Sequence, residues 1–399
     1  MANKILKLKP GREKSLKHHN YWVFSGAIGM APAEAEKGET IDIISAAGEF
    51  MAVGSWSPQS QICARAWSFK PETVDVNFFR KRLRAAQNCR EISGIAQNNS
   101  GYRLAAAEGD GLPGIVIDRY NNIMVMQLLS AGSDFMRSEI VNAIRAEFPE
   151  VTAILERSDV AVRKKEGLEE QKELLFGDAG NSLPEIKENN CKFICDVQNG
   201  HKTGFYFDQR SNRALAGTLA AGRTVLNLFS YTGGFGVTCA LNNAKLVENV
   251  DSSESALALA AQNMALNGVS ADKFVNTEAN VFELLRAYEK AGKRFDMIIL
   301  DPPKLVDAQA RLMKGARAYK ELAMRSFKLL NPDGLLFTFS CSGLVTPELF
   351  AKITFDAAYD AGCSGLILRR LTQDADHPVR LNHPESSYLK GLLVQKCHA

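Results

Sequence analysis

Apolar and polar positions change rhythm three times along the 399 residues, and each rhythm predicts a different kind of domain. Residues 1–73 carry short β-like runs cut by glycine: Trp22-Val23-Phe24 before Ser25-Gly26, the alternating Thr40 to Ile44, Phe50 to Val53 before Gly54-Ser55, and Ile62 to Phe69. Short strands between turn signals predict a small β-barrel. From Val74 to about residue 190 the pattern mixes periods. Phe78, Phe79, Leu83 and Ala86 mark one face of a helix over 78–92, Ile115 to Asp118 and Ile123 to Leu129 read as a hairpin, Ser138 to Phe148 as a helix, and Val151 to Glu156 as a strand. That is a central α+β domain, and the polar stretch 166–192 reads as its exit linker.

From 191 onward, strands and helices alternate as a doubly wound α/β sheet requires. Strands are expected at 224–229, 246–250, 274–276, 296–300 and 335–339, with helices up to about 242 and over 254–267, 281–290 and 319–330. Leu366 to Leu371 and Tyr388 to Gln395 would close the sheet as an antiparallel hairpin.

Composition narrows the classes. Hydrophobic residues make 46% and charged residues 23%, a soluble balance, and no apolar run approaches a membrane span. The N-terminal Met1 to Lys7 lacks the apolar core of a secretory signal, so a cytoplasmic protein is expected. Eight scattered cysteines do not make a disulfide framework. Cys191 and Cys195 would share one buried face of a strand, and no metal site is expected. The net charge of +3 says little about nucleic acid, but basic clusters at 1–20, at Arg80 to Arg90 and at Arg163-Lys164-Lys165 are candidate phosphate contacts.

Chemistry concentrates at the expected strand ends, where ligands bind in such sheets. After the first strand comes Ser230-Tyr231-Thr232-Gly233-Gly234-Phe235-Gly236, a close-approach turn. Asp251 ends the second strand 18 residues after Gly233, placed to accept hydrogen bonds from a ribose. Asn280 or Glu278 follows the third strand within reach of an adenine ring. A Gly-x-Gly-x-x-Gly fingerprint started at Gly234 would end on Cys239, which disfavours a nicotinamide enzyme. Two further strand ends carry Asp301-Pro302-Pro303-Lys304 and Phe339-Ser340-Cys341-Ser342-Gly343. A thiol near an acid suits covalent chemistry on an electrophilic ring.

These phrases, with Trp22 to Ile28, Glu108 to Gly114 and His201 to Arg210, resemble the S-adenosylmethionine-dependent cytosine-5 methyltransferases of bacterial large-subunit ribosomal RNA, in the subgroup with an N-terminal PUA domain. The resemblance covers almost the whole chain. It implies a PUA domain at 1–73, a central domain at 74–190, a Rossmann-like class I methyltransferase domain at 191–399, and methylation of carbon 5 of one cytosine in 23S ribosomal RNA. It places Asn227, Ser230, Thr232, Gly233, Gly234, Phe235 and Asp251 around S-adenosylmethionine; Lys202, Asn280 and Asp301 are also expected as contacts. Asp301 would also lie beside the target base, and Cys341 would be the covalent nucleophile. Close relatives often carry an acid where Asn280 stands. Lys304 and Arg210 are expected at RNA phosphates, Asp208 as the cap of the following helix, and a homodimer is compatible with the family. The residue after Pro302 is Pro303 rather than a second cysteine, so the base that removes the C5 proton is not named. Methylation of an exocyclic amine and a noncatalytic RNA-binding scaffold are the competing readings.

Overall fold

The computed structural model describes residues 3–180 and 182–397. Met1, Ala2, Asn181, His398 and Ala399, which fall in the expected N-terminal, linker and C-terminal spans, lie outside the described residues. The chain groups into two units, one of 1–186, 195–207 and 375–386, the other of 187–194, 208–374 and 387–399.

In the first unit, Trp22–Phe24, Ile62–Ser68, Phe50–Trp56, Thr40–Ile44, Lys4–Leu8 and Ile28–Met30 form a six-stranded sheet in that order. Alternation sets its inside: Ile41 and Ile43 are buried with Leu6, Leu8, Val23 and Ala64, while their neighbours along the strand are half-exposed. The expected turn at Gly54-Ser55 is instead strand; glycine there lets the neighbouring strand approach, since a Cβ at Gly54 would stand 2.7 Å from the Arg65 carbonyl oxygen. A second sheet runs Gln171–Gly177, Ala153–Ser158, Ile123–Leu128, Ile115–Tyr120, Gly101–Ala106. Helices Val76–Ile92, capped by Asp75, and Arg137–Glu147 share a core with it. The stretch expected as a linker therefore holds the edge strand Gln171–Gly177 and the hairpin strands Glu185–Glu188 and Cys191–Ile194. Two of the basic clusters are also smaller than expected. Arg90 is fully buried against Asp110 at 2.5 and 2.7 Å, and Arg163 is buried beside Asp134 at 2.9 Å. Removing one partner of such a pair strands a buried charge, so both arginines belong to the core.

The second unit is the alternating one. After helix α1 (Arg210–Thr218) come β1 (Thr224–Leu228), α2 (Gly234–Leu241), β2 (Leu246–Asp251), α3 (Glu254–Leu266), β3 (Phe274–Glu278), α4 (Val281–Lys290), β4 (Phe295–Leu300), α5 (Leu312–Leu329), β5 (Leu330–Ser340), α6 (Pro347–Asp360), β6 (Ser364–Thr372) and β7 (Lys390–Cys397). The sheet order is β3-β2-β1-β4-β5-β7-β6. Strands β1 to β5 are parallel, and β7 runs antiparallel between β5 and β6. Near-continuous burial of Leu226, Leu228, Ile298, Leu300, Leu336 and Phe337 is what a parallel sheet covered on both faces demands. The order reverses between β1 and β4, so the loops after these strands diverge and leave a crevice at their carboxyl ends.

Candidate active site

The loop from β1 into α2 is held in an unusual backbone. Phe229 and Tyr231 have φ of 59° and 48°, and Gly233 follows at 79°. A left-handed aromatic residue costs about 1–2 kcal/mol, so neighbours must fix it. Asp251 does so from the end of β2, its carboxylate accepting from the Tyr231 N–H at 2.8 Å and the Ser253 N–H at 3.0 Å. The Ser230 N–H donates to the Val250 carbonyl, and Asn263 donates to the Thr232 carbonyl. Two hydroxyls remain: Ser230 Oγ and Thr232 Oγ1 are buried and have no protein partner. Buried hydroxyls that stay unsatisfied in the protein fit a loop built to meet a polar ligand. Gly236 lets α2 lie close on the sheet, since a Cβ there would be 2.2 Å from Asn249 Oδ1.

Other expected cofactor residues take different places. Asn227 is buried and donates to Asn249, which donates to Asn276, an amide chain across β1, β2 and β3. Phe235 is buried with its ring 5.8 Å from that of Phe339. Asn280 caps α4, its Oδ1 accepting from Phe282 and Glu283 N–H groups, so its amide NH2 is the end directed away from the cap. Capping explains why an amide stands here: Asn and Asp both serve at this position.

Asp301 follows β4, and Cys341 follows β5; Leu300 and Thr338 are direct partners on these adjacent strands. Strands lie about 4.8 Å apart, so the acid and the thiol leave the same end of the sheet from neighbouring strands. Gln209 donates to Asp301 Oδ2 at 2.9 Å, and Asn212 donates to Gln209 Oε1 at 2.6 Å. The two turns are pinned together through Ser342, whose buried hydroxyl accepts from Val306 N–H at 3.2 Å and shares a hydrogen bond with Tyr319 Oη at 3.0 Å. Burial pushes the Tyr319 hydroxyl above its ordinary value, so it stays protonated. Lys390, opposite Ser340 in the β5–β7 pairing, donates to the Ser342 carbonyl at 2.7 Å. Tyr319 and Lys390 carry no sequence signal for this role, whereas Gln209 lies in the His201 to Arg210 phrase; each meets the turn from a remote part of the chain.

Arg210 does not reach solvent. It is buried, paired with Asp374 at 2.8 Å and 3.7 Å from Glu188, which replaces the expected phosphate contact with an internal one. Asp208 does not cap α1; its Oδ2 accepts from Tyr388 Oη at 2.5 Å. Lys304 is exposed beside the Asp301 turn. Lys202 belongs to the first unit, exposed, its ammonium 4.5 Å from the Tyr206 ring centroid. Cys239 and Cys363 are buried and their thiols are pushed up by burial, which removes them as proton acceptors. Among the described residues no group of three or more His, Cys, Asp or Glu could hold a metal ion.

A mostly parallel sheet ordered 3-2-1-4-5-7-6, with a strained glycine loop after its first strand and an acid ending its second, is a Rossmann-like fold of the class I methyltransferase type. A family profile described as S-adenosylmethionine-dependent methyltransferase matches residues 155–383, and one described as a PUA-like domain matches residues 6–69. Ribosomal RNA large subunit methyltransferase I of Tolumonas auensis is 51% identical over 390 residues, covering 97% of this chain and 98% of that protein. Its counterpart from Shewanella amazonensis is 49% identical over 391 residues, covering 98% of each. A solved structure of a candidate methyltransferase from Streptococcus mutans shares the fold, with a TM-score of 0.84 over 99% of this chain and 100% of that one at 24% identity. The chain belongs to the family of ribosomal RNA large subunit methyltransferase I, and its cofactor is S-adenosylmethionine.

Proposed function

We propose that this enzyme methylates carbon 5 of a cytosine in 23S ribosomal RNA through a covalent adduct on Cys341. The observation that carries the reading is the paired strand end: an acid after β4 and a thiol after β5, locked by the Ser342–Tyr319 contact. The donor supplies an electrophilic methyl group on a sulfonium. Ser230, Thr232 and the Gly233-Gly234 turn would hold it, with Asp251 at the ribose and the Asn280 amide at the adenine. Cytosine C5 is a weak nucleophile until the ring is opened to addition. Cys341 Sγ adds to C6, forming a C–S bond and moving the ring electron pair to C5, while Asp301, oriented by Gln209, holds the N3 edge. C5 takes the methyl group as its bond to the donor sulfur breaks and that pair stays on sulfur. Loss of the C5 proton to a base then expels the Cys341 thiolate and restores the ring.

The base must leave its stacked position to reach a pocket at a strand end. Residues 1–73 and 74–190 are the candidate RNA-positioning domains, and Lys304 is the candidate phosphate contact beside the cleft. Lys202 stays a candidate donor contact. We also expect a cytoplasmic homodimer, which sedimentation velocity on the purified protein would read. Methylation of an exocyclic amine needs no thiol. Cys341→Ala separates the two: it should bind S-adenosylmethionine but form no 5-methylcytosine, and only the wild type should form a denaturation-resistant adduct with RNA containing 5-fluorocytosine. Near-normal C5 methylation by the alanine variant sinks the covalent reading.

A further inference from the structure

We propose that Lys390 is a positioning residue that favours the thiolate of Cys341, acting through the sulfur rather than on the substrate. The register of the sheet places it there. Lys390 opens β7 directly opposite Ser340, the last residue of β5 and the one before Cys341. Its ammonium is half-buried and tied at 2.7 Å to the Ser342 carbonyl, the residue on the other side of the thiol. That acceptor is neutral. The charges that act on it are the Cys341 sulfur and Lys304, and a half-buried cation is costly unless an anion forms nearby.

Burial holds the Lys390 ammonium below the ordinary lysine range; the Cys341 sulfur draws it back up, and Lys304 pushes it down. The attraction is mutual, so the same cation pulls the thiol toward its anionic form. The charged and titratable groups around this pair include Lys304 from the loop after β4 and Tyr319 from α5. Tyr319 is kept neutral by burial, which leaves Lys390, with Lys304 beyond it, as cations beside the turn. Lys390 is the one anchored to the turn.

The inference rests on Cys341 as nucleophile but is tested separately. Full-length enzyme is alkylated with iodoacetamide from pH 6 to 10, and each cysteine peptide is followed by mass spectrometry, with exposed Cys89 as the internal reference. Wild-type Cys341 should titrate below Cys89. Lys390→Gln keeps a donor for the Ser342 carbonyl without the charge, and should move the Cys341 profile up by ~1 pH unit. Lys390→Arg should keep the wild-type profile. An unchanged profile in the glutamine variant overturns the inference, as does an equal shift in the arginine variant. If the glutamine variant fails to fold, a wild-type Cys341 that titrates no lower than Cys89 overturns it alone. Because alkylation needs neither donor nor RNA, an active Cys341→Ala enzyme would defeat the covalent reading while leaving this measurement intact.

Discussion

Tyr319 ties together the two turns that carry Asp301 and Cys341. Its phenol oxygen meets Ser342 Oγ at 3.0 Å and the Leu305 N–H at 3.5 Å, joining the Asp301 turn to the Cys341 turn. Tyr319→Phe leaves the ring packed on Phe350 and removes only the hydroxyl. One buried hydrogen bond is worth about 1 kcal/mol, so methyl transfer should slow by roughly fivefold, with donor affinity by calorimetry unchanged. A lowered donor affinity instead would show that Tyr319 supports the cofactor loop. In the first unit, His383 is buried with its ring 4.5 Å from Trp22 and 6.0 Å from Tyr21. Burial holds its pKa below the ordinary histidine value, although Glu108 and Glu385 pull the other way. The folded chain therefore binds this proton less readily than the unfolded one. Stability contributed by neutral His383 is complete above about pH 6.5 and falls as pH drops toward the lowered folded value. Urea unfolding at pH 7 and pH 5 should show a smaller acid loss for His383→Phe than for the wild type; an equal or larger loss would assign the sensitivity elsewhere.

Among the elements, α2 is positioned by the absence of a side chain. Gly236→Ala would drive a methyl group into Asn249 Oδ1, which anchors the amide chain from Asn227 to Asn276. The helix must lift, and the loop with Ser230 and Thr232 moves with it. Donor affinity should fall at least about tenfold by calorimetry while the circular dichroism spectrum stays native. Unchanged affinity would mean that the helix can shift without its loop. Helix α6 depends on Thr346, whose side chain accepts from the Leu349 N–H, with Pro347 at the first turn; Thr346→Ala should cost about 1 kcal/mol in urea unfolding. That helix is absent from the sequence expectation although Thr-Pro-Glu announces its start. Legibility followed the length of the pattern. The buried runs of β1, β4 and β5 and the amphipathic α4 speak for themselves, whereas in the edge strand Gln171–Gly177 only Leu175 and Phe176 pack on a core, too short an apolar run amid exposed residues to read as a strand. The site divides the same way. Asp301 and Cys341 sit at strand ends, a local property, while Gln209 meets Asp301 across 92 positions and Lys390 meets Ser342 across 48. Such contacts exist only once the sheet has ordered its strands.

For the whole molecule, the chain passes between its two units five times, at 186/187, 194/195, 207/208, 374/375 and 386/387. All three tryptophans, Trp22, Trp56 and Trp67, lie in the first unit, whereas the donor loop lies in the second. S-Adenosylhomocysteine at about 100 times its Kd stabilises its site by roughly 2.7 kcal/mol. With so many covalent crossings we expect one cooperative transition, so tryptophan emission should report a raised melting temperature on adding this ligand, in step with far-ultraviolet circular dichroism. A tryptophan midpoint that stays fixed while the dichroism midpoint rises would mean that the units melt separately. The placement of β7 between β5 and β6 has a consequence for synthesis. On the ribosome β5 is complete at Ser340, but the strand that pairs with it begins at Lys390, about 50 residues later. At roughly 5–20 residues per second the nascent chain spends several seconds with that apolar edge unpaired and β6 without a neighbour to join. Catalytic competence would thus be acquired late in translation, and this interval is when the emerging polypeptide most needs a chaperone.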